Sequence, residues 1–146
     1  MRVTAAWRTA GAGSTTLPIG SLFATAACRP VVWEIAVFNT TAVAVAIALR
    51  RVTAVGTAGA AIPKIYEDDE LQTSLATPFD THTVTPTFVS GNLRVASLGA
   101  AVGSGVIWTP SGSKGWPIPA ATTNGIVIVP LVGTGQICDV SMTWEE

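Results

Sequence analysis

Residues 42–49 read AVAVAIAL, eight side chains without a polar atom that alternate in size rather than in polarity. Val43, Val45, Ile47 and Leu49 share one parity; Ala42, Ala44, Ala46 and Ala48 share the other. A period of two belongs to a strand, because a helix would scatter the large side chains around its axis. β-branched Val and Ile add preference for a pleated surface. The stretch is too short to cross a bilayer, which takes about 20 apolar residues. Asn39, Thr40 and Thr41 close it upstream, and Arg50 and Arg51 close it downstream. Neither face asks for water. Two arrangements satisfy that: a central strand wholly inside one domain, or large side chains in a core with the Ala face against a second layer or a neighbouring subunit.

The composition agrees with a β-rich chain. Val, Ile and Thr number 17, 10 and 20 of 146 residues, and 14 Gly and 9 Pro punctuate the runs. One domain with a substantial core is expected at this length. Only 12% of residues are charged, about half the usual share, and the net charge is −1. So weak a field neither steers ligands nor holds copies apart. It suits a chain buried in an assembly, and equally a poorly soluble one. Basic residues are scattered, without the stripe or aromatic ladder of a nucleic-acid footprint. Arg8, Gly11 and Gly13 interrupt the first apolar stretch, so no signal peptide is expected. Cys28 and Cys138 have no CxxC partner; one bridge or two buried thiols are open, and free thiols are the expectation.

Gly and Pro divide the chain into about eight strand-like runs with no convincing helix. The expected fold is an all-β, antiparallel jelly-roll-like β-sandwich. Residues 1–30 supply an N-terminal strand plus a Gly/Ser/Thr-rich arm or loop of the same domain, and residues 31–146 supply the sandwich core. VVWEIAVF and AVAVAIAL, joined by NTT, read as an antiparallel pair; GIVIVPLV and ICDVSMTW read as another. In the last run Cys138, Val140, Met142 and Trp144 share an inward face. Pro130 removes a ladder donor and is expected at an edge or bulge.

Chemistry is harder to find. Asp80 and His82 can be drawn as a dyad, but no serine or threonine stands on a recognisable nucleophile elbow. The acidic run YEDDE lacks the spacing of a calcium loop, and the glycines of GSGVIWTPSGSKGW lack the Walker spacing. Five tryptophans admit a sugar-stacking site, with Trp116 the most exposable. No catalytic residue, cofactor or metal is expected.

The order WEIAVFNTTAVAVAIALRRV, GTAGAAI, LRVASLGAAVGSGVIW and NGIVIVPLVGTGQICDVSMTWEE resembles small β-rich virion proteins of tailed bacteriophages, above all the decoration, or cement, proteins of their capsids. The resemblance implies a jelly-roll or related fold, a homotrimer, and no enzymatic activity or cofactor. It implies a place on the outer capsid surface, clamping the major capsid protein, after synthesis in the host cytoplasm. Nucleic acid and membrane are not expected partners. The alternatives are a carbohydrate- or host-surface-binding module, or another head–tail or tail protein. Two surfaces follow as expectations. Trp33, Ile35, Ala42, Ala44, Ala46 and Ala48 are candidates for contact with other copies. Trp7, Arg8, Gly11, Gly13 and Thr16 are candidates for an extended arm on the capsid.

Overall fold

In the computed structural model, which describes residues 1–68 and 72–146, the size alternation becomes a strand beginning at Val45. Val45, Ile47 and Leu49 point inward and are almost fully buried. Val43, of the same parity, lies before the strand and is 56% exposed. Among the described residues twelve strands follow one another: β1 (Arg2–Arg8), β2 (Gly20–Phe23), β3 (Val31–Asn39), β4 (Val45–Ala54), β5 (Ile65–Tyr66), β6 (Thr77–Phe79), β7 (Thr87–Phe88), β8 (Arg94–Leu98), β9 (Gly105–Trp108), β10 (Trp116–Pro117), β11 (Gly125–Pro130) and β12 (Cys138–Glu145). No helix occurs among the described residues.

The strands form two antiparallel six-stranded sheets packed face to face. The first runs β10-β3-β12-β1-β5, with β9 also on β3; the second runs β6-β2-β11-β4-β7, with β8 also on β4. Pairings nest from the chain ends inward: β1 with β12, β2 with β11, β3 with β9, β4 with β8.

This order corrects the two expected hairpins. β3 and β4 lie in different sheets, as do β11 and β12, so both short connections cross the sandwich instead of turning back within a sheet. β3 pairs with β12 over its whole length, and β4 pairs with β11 from Ile47 to Val52. The reason is burial: paired as a hairpin, β3 and β4 would turn their large residues to the same face of one sheet. Crossing over sets Ile35 and Val37 against Ile47 and Leu49 in one core. Pro130 is the last residue of central strand β11, opposite Ile47, where a missing N–H costs least.

Between the sheets, Val3, Ile35, Val37, Val140, Met142 and Trp144 meet Leu22, Ile47, Leu49, Ile126 and Ile128, each at most 2% exposed. The alternating burial of β12 is the clearest realisation of a sequence pattern in the molecule. β1 and β2 belong to the two sheets, so the first 30 residues are integral to the sandwich.

The outer faces of the two sheets differ. Parts of the 55–89 excursion lie over the second sheet, where Val55 joins Phe79 of β6 and Phe88 of β7 in packing against Phe23, Val52 and Val127. Ladder-like contacts hold this cover together: Asp80 N donates to Ala60 O, Thr83 N to Thr57 O, and His82 N to Pro18 O, each at 2.9 Å. The outer residues Val127 of β11 and Val52 of β4 are therefore buried as well as the inner ones. Outer residues of the first sheet remain partly in solvent, with Phe38 37% and Ile107 57% exposed.

Candidate assembly surfaces

Asp80 and His82 do not form a dyad. His82 is 1% exposed, and its Nε2 lies 2.9 Å from the buried Ser21 Oγ under the cover of the second sheet. Asp80 turns the other way: its carboxylate accepts from Ala10 N at 3.0 Å and from Thr81 N at 2.7 Å. Ser21 and His82 therefore meet without an acidic orienter and line none of the surface clefts described below. His82 Nδ1 has no hydrogen-bond partner. Burial pushes the imidazole pKa below its ordinary value; the nearby carbonyls of Val55 and Val84 offset part of that without bonding Nδ1 in regular geometry. His82 thus sits buried beneath the cover, bonded to Ser21, where desolvation disfavours its charged form.

Cys28 and Cys138 are unbridged and buried. Burial, reinforced by Glu146, raises the Cys28 thiol to about 12, and burial raises Cys138 to about 11. Neither forms a thiolate nucleophile near neutral pH. No three His, Cys, Asp or Glu side chains gather as metal ligands among the described residues. Glu67 and Asp68 of the acidic run are exposed, and Asp69 and Glu70 lie outside the described residues. Trp116, expected to be exposable, is 7% exposed beneath the Arg94 guanidinium, 5.2 Å from its ring. It cannot stack on a sugar from there.

The candidate interface residues separate. Ile35 is fully buried in the core and is no surface residue, because β3 turns it toward β4. Trp33 is the extra residue of a bulge opposite β12 and lies on the outer face of the first sheet, its Nε1 donating to Glu145 Oε2 at 2.9 Å. Ala48 is buried on the second sheet and Ala46 is half-buried. Ala42 and Ala44 precede β4 in an exposed loop.

The extended arm is corrected too. Trp7 is partly buried against the core, in space that Gly20 leaves open: a Cβ there would stand 2.8 Å from the indole. Arg8 pairs with Asp139 at 2.8 Å. Gly11 exchanges hydrogen bonds with the Thr81 hydroxyl. Gly13, at a positive φ of 67°, accepts from Gly135 N at 3.4 Å, where a side chain on Gly135 would collide with Ala12 O. Thr16 is exposed at the tip. The Gly/Ser/Thr-rich segment is a loop docked on its own domain, since its glycines permit close backbone approach.

What sequence reading missed is where these loops meet. Residues 9–19, 40–44, 99–104 and 131–137 all close the same end of the sandwich. Asn39, 1% exposed, joins two of them, 40–44 and 99–104. Its N donates to Ser104 O, its O accepts from Gly103 N, its Nδ2 donates to Val43 O and Gly99 O, and its Oδ1 accepts from Thr41 N. Thr41 Oγ1 donates to Gln136 Oε1 at 2.9 Å, and the Ser14–Thr134 bridge adds the first loop. The four loops contain no Asp, Glu, Lys, Arg or His. Val43, Val102, Leu131 and Val132 stand out from them, 56%, 73%, 40% and 64% exposed. The result is a hydrogen-bonded, uncharged, partly apolar cap.

Around the corner, the outer face of the first sheet presents Ala6, Phe38, Ile107 and Trp33 between the ion pairs Arg8–Asp139 and Arg2–Glu145. A groove of about 360 Å³ between Trp7, Phe38 and Ser141 opens on it. The chain matches no model of a known protein family, and no characterised protein is significantly similar to it.

Proposed function

We propose that this chain is a non-enzymatic structural protein of a tailed-phage virion: a homotrimeric decoration protein bound to the outer capsid surface through the major capsid protein. The observation that carries the assembly part is the uncharged loop cap. Surface loops of a free-standing domain normally carry charge, whereas these four carry none, and three of them expose Val43, Val102, Leu131 and Val132. Such a surface loses little hydration when covered, and depletion of charge marks the centre of protein interfaces. The virion part rests on the sequence resemblance, and the nested strand order is in keeping with the jelly-roll form that resemblance implies.

The two surfaces take different roles in this reading. The cap, which includes Ala42 and Ala44, joins copies around a symmetry axis, where closed symmetry lets one small domain bury the same patch on itself. The first sheet's outer face, with its charged rim, docks on the shell, since charged rims give register and specificity. Many weak contacts around a shell then add up to high avidity. Sedimentation equilibrium of Val102→Asp/Val132→Asp tests the cap, because both positions are exposed and the fold should survive. A wild-type oligomer that dissociates to folded monomers in the variant is expected. An equally oligomeric variant would refute the cap as the self-contact.

A further inference from the structure

At the end of the sandwich opposite the cap, a cleft of about 310 Å³ opens between β4, Val89 and the 117–125 segment. Two arginines line it, Arg29 from the β2–β3 connection and Arg51 from β4, with Asn124 beside them and Pro117, Pro119 and Val52 as apolar walls. Arg51 is half-buried and oriented: its Nη1 donates to Pro117 O at 2.7 Å. That contact leaves the rest of its planar fork unpartnered.

Neither guanidinium has an acidic partner among the described residues. The two ion pairs found there are Arg2–Glu145 and Arg8–Asp139, both on the outer face of the first sheet. The other described carboxylates with partners are engaged elsewhere: Asp80 by Ala10 and Thr81, Glu146 by Ser74, Leu75 and Ala76, and Asp68 by Arg2 N. A half-buried cation that has lost hydration without gaining a counter-charge is an unfavourable arrangement that an anion corrects.

We infer that the Arg29–Arg51 cleft is a binding site for a carboxylate side chain carried by a polypeptide. Two guanidinium forks match the planar, bidentate geometry of a carboxylate. No helix N-terminus lies there to supply the backbone donors that phosphate sites commonly use. The proline and valine walls accept the aliphatic stem of a Glu. The volume suits one side chain with its flanking backbone, at the lower limit of small-ligand pockets.

The test is a titration of the ¹⁵N-labelled full chain, following the Arg51 Nε–H and the Asn124 and Gly125 amides. The probes are N-acetylglutamate amide, its glutamine counterpart and inorganic phosphate. The glutamate probe should shift these signals saturably, with a dissociation constant on the order of millimolar, and the glutamine probe should not. Arg51→Lys, which keeps the charge and loses the fork, should weaken binding about fivefold, and the exposed Arg29→Gln should weaken it without disturbing the fold. Equal shifts from both amino-acid probes, tighter binding of phosphate, or unchanged binding in Arg29→Gln would overturn the site. Once glutamate binding is seen, sedimentation of Arg29→Gln identifies the source: lost assembly places the carboxylate on a second copy, and retained assembly places it on another polypeptide.

Discussion

Ser21 Oγ and His82 Nε2 lie 2.9 Å apart in a layer closed to solvent, and nothing binds the other ring nitrogen. Because burial holds His82 neutral, its pKa in the folded chain is below the ordinary 6.5. The unfolded chain therefore takes up a proton first as pH falls, and stability drops from about pH 6.5 downward. It is fully present above that value and is lost as pH falls toward the folded-state pKa. Asp139 and Glu146 titrate in a lower range, below their ordinary 3.8 and 4.5, so the interval from about pH 6.5 to 5 reports on His82. Urea unfolding across that interval should slope for the wild type and be flat for His82→Gln. A slope that persists in the variant would assign the effect to another group.

The position of Glu146 gives a second expectation. Burial pushes its carboxyl upward, but hydrogen bonds from Ser74 Oγ, Leu75 N, Trp144 Nε1 and Ala76 N outweigh this and hold the pKa below the usual value. One side chain thus fastens the 74–76 segment to the end of β12. Glu146→Ala should cost about 2 kcal/mol in chemical denaturation, the range for hydrogen bonds to a charged group. A cost near zero would show that water replaces the carboxylate.

Asn39 offers a sharper substitution. In Asn39→Asp, a carboxylate oxygen replaces Nδ2 opposite the carbonyls of Val43 and Gly99. Two hydrogen bonds become repulsions in a buried site, and about 3 kcal/mol or more should be lost. A shift in the urea midpoint too small for that loss would mean the loop cap is held by its backbone alone.

Ile47 and Val43 share a sequence parity and differ in fate, which equilibrium unfolding can read. Ile47→Ala should cost about 2–5 kcal/mol through lost burial and a cavity. Val43→Ala should stay within about 0.5 kcal/mol, as exposed sites do. Similar costs at both would contradict the start of β4 at Val45.

Much of this molecule is legible along the chain, and the rest is legible only in three dimensions. The parity of Cys138, Val140, Met142 and Trp144 and the size alternation of residues 45–49 define strand faces locally. Strand partners are not local: NTT turns the chain, but whether β3 and β4 share a sheet depends on β12 and β11, about a hundred residues on. The cover of the second sheet comes from a Gly/Pro/Thr-rich excursion without periodicity, and β6 and β7, which bring Phe79 and Phe88 to that outer face, are too short to show a pattern along the chain. The supposed arm looked loose because it is rich in glycine, yet Gly13 and Gly135 are what let it dock. The uncharged cap is invisible as a pattern because its four pieces are spread from residue 9 to residue 137.

The docked arm also changes what a truncation would mean. Deleting residues 1–16 removes β1, with Val3 and Ala5 in the core, and would unfold the chain rather than release an arm. The direct measurement uses the intact chain: co-sedimentation with purified tailed-phage particles that lack it, beside Ile107→Asp, an exposed change on the first sheet's outer face. Saturable binding at a fixed number of copies per capsid, lost in Ile107→Asp while the protein stays folded and oligomeric, is the expected result. A wild-type protein that stays monomeric at tens of micromolar and sediments with no particle would contradict the assignment.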